Sequence, residues 1–316
     1  MNIFKLSPAF KDYLWGGSRL KTDFGKNTDM TPLAESWELS VHPDGESVIA
    51  NGEFEGMSFA EFAKNNPEKL GFNCEKFENF PILIKLIDAF DNLSVQVHPD
   101  NDYAMQVEGE YGKTEMWYIV DCDDDATLIY GFKDEISKEE FKNCIEQNTL
   151  LSVVNSVKVN KGDVFFIQAG TLHAIGKGIL IAEIQQNSNT TYRVYDYGRV
   201  GADGKPRALH VEKALDVTKL EKAPRYICDD VKSLDGAKIR KLAKCEYFDV
   251  SEICVDKKID IIADKSSFNS LLFVDGKGTI ESDGITLEFK KGDSVFVSAD
   301  TEYAICGKCK VILTKI

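Results

Sequence analysis

Short runs rich in Val, Ile, Phe and Tyr recur along the chain, among them SWELSVH, PILIKLIDAF, NLSVQVH, TEMWYIVDC, ATLIYGF, DVFFIQA, GILIAEIQQ and TYRVYDY, separated by Gly, Asp, Asn and Pro. Short strands with this punctuation predict an all-β barrel or sandwich. Helical periodicity is the exception. In MSFAEFAKNNPEKLG, Phe59, Phe62 and Leu70 recur among charges with a proline stop, predicting a helix over Ser58 to Asn65. Ser137 followed by Glu140 has the form of a capping box, and Phe141, Ile145 and Leu150 lie toward one side, predicting another over Ser137 to Asn148. Both are expected to decorate the β-structure. Asp123 to Asp125 reads as a solvated hairpin loop rather than a calcium site, which would need spaced ligands.

The chain also repeats itself. KGDVFFIQAGTLHAI, from Lys161, aligns without gaps on KGDSVFVSADTEYAI, from Lys291, with identity at eight of fifteen positions. Each copy reads as a turn at Lys-Gly-Asp, a strand, a second turn and another strand, as in half of a jelly roll. Two related β units are implied. His173 of the first copy corresponds to Tyr303 of the second, so a metal held in the first unit would lack that ligand in the second. The pattern turns polar and irregular between Pro224 and Asp235, which places a boundary there: residues 1–230 form one domain and 231–316 a second.

Composition narrows the function. The 316 residues are 43% hydrophobic and 28% charged, as in ordinary globular proteins, and the net charge of -14 disfavours nucleic acid or an anionic membrane as partner. A small anion is not excluded, since a few Arg and Lys can converge locally. The first residues contain no long apolar stretch, and no segment approaches 18 consecutive apolar residues, so the expected location is cytoplasmic. Cys74, Cys122, Cys144, Cys228, Cys245, Cys254, Cys306 and Cys309 are then expected as reduced thiols, and the Cys306/Cys309 pair as a turn carrying two incidental cysteines.

Strand parity picks out candidate chemistry. In NLSVQVHPD, Ser94, Gln96 and His98 share one face and Leu93, Val95 and Val97 the other; in GKTEMWYIV, Lys113, Glu115 and Trp117 share a face. Burying such polar side chains unpaired costs about 2 kcal/mol each, so a core that accepts them is expected to bind something. With His173 after the glycine turn of QAGTLHAIG, two imidazoles and a carboxylate suit zinc, iron or manganese, with positions left open for catalysis. His42, in LSVHPDG, lacks the accompanying Gln and reads as a structural strand end, and His210 as packing or capping. Glu183 and Gln185 share a face of one strand, Arg193 and Tyr195 of the next, and Arg193 with Arg199 could form an anion fork.

At these residues the sequence closely resembles the type I mannose-6-phosphate isomerases, in their short bacterial form, within the cupin superfamily. The resemblance runs through FKDYLWGG, AESWELSVHPDG, PILIKLIDAFDNLSVQVHPD, GKTEMWYIVD, QAGTLHAIG and EIQQNSNTTYRVYDYGR. It implies two cupin (jelly-roll) barrels, a catalytic one in residues 1–230 and a non-catalytic one in 231–316. One Zn2+, or another divalent ion, would be held by Gln96, His98, Glu115 and His173. Arg193 would be the active-site arginine with Lys113 and Glu183 near the reacting carbons, and Ser94, Lys85 and Arg199 would bind substrate. The implied activity is interconversion of mannose 6-phosphate and fructose 6-phosphate through an enediol(ate), by a monomer or homodimer. The large helical insertion that longer members carry between the KTEMW and GTLHA motifs is missing here.

Two rival classes share the pattern. A cupin oxygenase also uses two His and a carboxylate on non-haem iron, though Gln96 and the converging cations speak against it. A sugar-binding bicupin would keep the pocket without the chemistry, against which stands the full set of Lys113, Glu115, His173 and Arg193.

Overall fold

The computed structural model describes residues 2–200, 204–224, 226 and 230–316. Most regular structure is strand, arranged in several antiparallel sheets, and the helices are short. No helix among the described residues is long and apolar enough to cross a membrane. Two compact units emerge, one formed by Met1–Tyr13, Ser18–Ile87 and Ile227–Ile316, the other by Leu14–Gly17 and Asp88–Tyr226.

In the second unit a five-stranded sheet runs in the order Tyr192–Tyr195, Val95–Val97, His173–Ala174, Thr127–Phe132, Val154–Lys158. Val95, Val97 and Val194 point from it into an apolar cluster with Phe141 and Ile145 of the helix Lys138–Glu146 and Ala214 and Leu215 of the helix Val211–Val217. Alternation therefore turns the polar residues of these strands to the opposite face. A second ladder joins Val164–Ile167, Glu115–Cys122 and Ile179–Gln186.

The two expected helices form where their caps sit. Ser58 accepts a hydrogen bond from the Glu61 N–H ahead of Phe59–Asn65, and Ser137 from the Glu140 N–H ahead of Lys138–Glu146. The Asp123–Asp125 loop is not a hairpin. It joins Glu115–Cys122 to Thr127–Phe132, which lie in different sheets, and Asp125 adopts a left-handed conformation (φ 60°) while pairing with Lys158.

The repeated segments adopt the same local structure. Gly162 and Gly292 both have positive φ (90° and 92°), and their N–H groups donate to Ile119 and Phe273 carbonyls, each at 2.8 Å. Those same two residues donate their N–H groups back to Asp163 and Asp293. At the second turn Gly170 and Asp300 are again equivalent, both left-handed, a conformation Asp tolerates better than most residues.

The first unit is built on a ten-stranded sheet. Ile3–Ser7 pairs antiparallel with Ser294–Val297, so the beginning of the chain completes a sheet made mainly by its end. Compactness thus groups the chain otherwise than a single cut at residue 230, and the expected linker between Pro224 and Asp235 lies partly outside the described residues. Tyr303 is buried among Ile3, Val297, Ile305 and Phe273, and its hydroxyl accepts a hydrogen bond from the Asn269 amide at 2.9 Å.

Cys306 and Cys309 do not flank a turn; both lie within the long strand Thr301–Lys315. Gly307 faces Gly278 across the ladder, and this pairing of two residues without side chains lets the strand continue where its other neighbour changes from Lys258–Ala263 to Asp249–Val255. The seven described cysteines are free thiols, and Cys228 lies outside the described residues.

Candidate metal centre and active site

His98, just beyond the Val95–Val97 strand, His173, opening its own strand, and Glu115, opening another, meet inside the second unit. All three are buried, and one ligand atom from each lies within 4.8 Å of the others. Glu115 stands 3.7 Å from His98 Nε2 and 3.4 Å from His173 Nε2, and the two Nε2 atoms are 3.1 Å apart.

The other ring nitrogens define what those atoms offer. His98 Nδ1 lies 2.9 Å from the Thr190 carbonyl oxygen, and His173 Nδ1 lies 2.8 Å from that of Thr171. A carbonyl can only accept, so each Nδ1 carries a hydrogen and each Nε2 faces inward, where a neutral ring presents a lone pair. Burial lowers the His173 pKa from its ordinary 6.5 to about 4, which keeps that ring neutral at pH 7. Two Nε2 atoms 3.1 Å apart beside a buried carboxylate need a proton or a cation among them. The donor set of two imidazoles and one carboxylate fits a divalent metal with coordination positions left over.

The surroundings are polar and ordered. Lys113 Nζ lies 3.2 Å from Glu115, and both side chains are buried. The Trp117 indole packs edge-on against His173 and donates to Glu183 Oε2 at 2.9 Å, from directly across the ladder. Gln96 pairs across strands with both His173 and Arg193, so these three side chains share a sheet face; the Ser94 hydroxyl donates to Gln96 Oε1 at 3.3 Å. Arg193 donates through Nε to Ser94 at 3.2 Å and through Nη1 to the Ala208 carbonyl at 3.2 Å.

Beyond Arg193 the cations cluster. Arg199 donates to Asp196 from Nε and Nη2 and to the Asn92 carbonyl from Nη1, while Arg207 grips both oxygens of Asp196. These two guanidiniums hold Asp196 below the usual carboxylate range despite its burial. Arg193 lies close enough to feel the charges of Arg199, Arg207 and Asp196. Arg193, Arg199, Lys113, Glu183, Ser94 and Gln96 all belong to the unit that holds the triad. Lys85 belongs to the other, where it is buried 3.7 Å from Glu35 and over the Trp37 ring.

Several contributors carry no mark in the sequence. Thr171 and Thr190 act through main-chain carbonyls, which any residue type supplies. Arg207 and Asp196 were accessible only as a charge pattern, Asp and Arg three apart in DYGR with another Arg downstream. His210 occupies the N-cap position of the helix Val211–Val217, but its side chain makes no capping hydrogen bond; its ring packs against Tyr192 at 6.2 Å, and beyond the expected packing its Nδ1 accepts the Arg193 N–H at 3.1 Å. His42 is structural, its Nδ1 accepting the Asp44 N–H beyond the end of the strand Glu35–Leu39.

Residues 3–125 match the family described as phosphomannose isomerase type I, catalytic domain, and residues 238–316 match mannose-6-phosphate isomerase, cupin domain. The mannose-6-phosphate isomerase ManA of Bacillus subtilis is 38% identical over 291 residues, covering 92% of this chain and 91% of that one. The mannose-6-phosphate isomerase of Streptococcus mutans is 43% identical over 237 residues, 75% of this chain and 74% of its own. A crystal structure of a mannose 6-phosphate isomerase from Bacillus subtilis superposes with a TM-score of 0.95 at 36% identity, over 100% of both chains. With two family domains matched and relatives at this identity along nearly its whole length, the chain belongs to the type I mannose-6-phosphate isomerase family.

Proposed function

We propose that the protein interconverts mannose 6-phosphate and fructose 6-phosphate through an enediol(ate), with one divalent metal, Zn2+ in first place, held by His98, Glu115, His173 and Gln96. The observation that carries the proposal is the buried meeting of two imidazole Nε2 atoms and a carboxylate, 3.1 Å and 3.4 Å apart at its closest contacts. A divalent ion bound there supplies Lewis acidity toward oxygen and stabilises negative charge developing on it. The relatives' names supply the sugar phosphate.

The chain's own groups have separate tasks. Arg193, Arg199 and Ser94 bind and orient the anionic substrate, Arg193 held by Ser94 and Arg199 by Asp196. Lys113 holds a donor beside Glu115, where it can hydrogen-bond a sugar oxygen. Glu183, buried and held by the Trp117 N–H, is the carboxylate proposed to move a proton between C1 and C2. In this reading catalysis belongs to residues 1–230, the region 231–316 is a second, non-catalytic cupin barrel, and the reaction is cytoplasmic.

The test is metal analysis of the purified protein coupled to assay with both sugar phosphates. Stoichiometric metal that is lost in His98→Ala together with interconversion supports the proposal. Oxygen consumption under turnover would point instead to an oxygenase, and tight sugar-phosphate binding without exchange of the C2 hydrogen in deuterium oxide to a binding protein.

A further inference from the structure

Arg193 sits on an edge. Tyr192–Tyr195 is the outermost strand of its five-stranded sheet, with Val95–Val97 on one side. The ladder to that neighbour breaks immediately after Arg193, where the register shifts before Tyr195. An arginine whose guanidinium must be held to within a fraction of an ångström is thus carried by irregular backbone with an open side.

The segment 208–210 closes that side at three points. The His210 N–H donates to the Arg193 carbonyl at 2.8 Å, the Arg193 N–H donates to His210 Nδ1 at 3.1 Å, and Arg193 Nη1 donates to the Ala208 carbonyl at 3.2 Å. A single residue therefore does the work of a missing strand, one half with its backbone and the other with its side chain. The ring orientation is also constrained, because the Tyr192 ring lies 6.2 Å from it.

We infer that His210 is a positioning residue for Arg193, setting the angle at which the guanidinium meets the substrate by completing hydrogen bonding along the strand edge. This rests on the role given above to Arg193. The demand on the side chain is specific: an acceptor on the atom attached to Cγ. Neutral imidazole meets it with Nδ1 unprotonated, and burial together with the Arg193 and Lys213 charges lowers the His210 pKa in keeping with that form. Asparagine offers its Oδ1 at the same place along the side chain, whereas glutamine carries its oxygen one bond further out.

The experiment compares H210A, H210N, H210Q, R193A and R193A/H210A as zinc-loaded full-length protein, measuring kcat and KM for mannose 6-phosphate, zinc content and thermal midpoint. H210A is expected to lose roughly tenfold to a hundredfold in kcat/KM with zinc content unchanged, the scale of a small misplacement of a reacting group. H210N should recover most of that loss and H210Q should not. In the R193A background H210A should add little, since the residue it positions is gone. The inference is overturned if H210A matches wild type, if H210N is as impaired as H210A, or if the H210A loss persists in full in R193A. Should H210A fail to fold, H210N against H210Q decides by the same criterion. R193A at wild-type activity would instead refute the role of Arg193 itself and take the inference with it; R193A impaired beside an unimpaired H210A refutes the inference alone.

Discussion

Replacing Glu115 by Gln keeps the shape of the side chain and removes its charge, which separates electrostatics from packing. Lys113 and Glu115 form an ion pair at 3.2 Å, with side chains 6% and 0% exposed. Coulomb's law at an effective dielectric near 20 gives that pair about 5 kcal/mol before desolvation is subtracted. Removing one partner of a buried pair costs about 3–5 kcal/mol, because the remaining charge keeps its desolvation penalty without its compensation. In excess chelator, Glu115→Gln should therefore unfold about 3 kcal/mol more easily than wild type, a fall of roughly 6–12 °C in midpoint for a unit of this size. Chemical denaturation of the chelated proteins, followed by circular dichroism, measures the difference.

The companion variant Lys113→Met/Glu115→Gln removes both charges and should regain most of the stability, since an apolar side chain replaces the stranded ammonium. It should regain neither metal nor activity. The reasoning fails if Glu115→Gln alone is as stable as wild type in chelator, or if the double variant is no better than the single. It fails differently if Glu115→Gln retains stoichiometric metal and full turnover, because then the carboxylate is no part of the metal set.

Arg193→Ala should keep its metal while kcat/KM falls by about 100- to 1000-fold, the usual loss when a charge-stabilising donor is removed; steady-state kinetics beside metal analysis would show it. Asp196→Ala unclamps Arg199 and Arg207 and should raise KM for mannose 6-phosphate more than it lowers kcat, with little change in metal content, as a full kinetic analysis would resolve. Chelation should abolish turnover and lower the thermal midpoint, and added Zn2+ should restore both. Burial pushes the thiols of Cys74 and Cys309 up to about 12. Their folded-state pKa values are raised, so their contribution to stability is complete below about pH 8.5, the usual thiol value, and is lost as pH rises toward 12. Denaturation midpoints measured from pH 8 to 11 should fall, and less steeply in Cys74→Ala.

How far the sequence spoke for the site depended on which atoms do the work. His98 and Glu115 were visible because strand alternation put polar side chains where apolar ones belong, and His173 because the repeat set it against Tyr303. The helix starts at Ser58 and Ser137 were visible because capping is a local side-chain interaction. What stayed hidden acts through the main chain or through distant pairing. The carbonyls of Thr171 and Thr190 orient both imidazoles, yet no residue type signals a carbonyl. Likewise the pairing of Ile3–Ser7 with Ser294–Val297 joins strands nearly the whole chain apart, with no local pattern to announce it. The Asp123–Asp125 loop misled because consecutive strands joined by a short acidic turn usually pair, and here they part into separate sheets.

The central claim, that His98, Glu115 and His173 hold the metal on which sugar-phosphate isomerisation depends, is tested most directly by titrating chelated protein with Zn2+ while following bound metal and C2 hydrogen exchange in mannose 6-phosphate together. Exchange should rise in proportion to bound metal and saturate at one ion per chain, with neither signal in His98→Ala/His173→Ala. Exchange at the wild-type rate in that double variant, or in fully chelated protein, would contradict it.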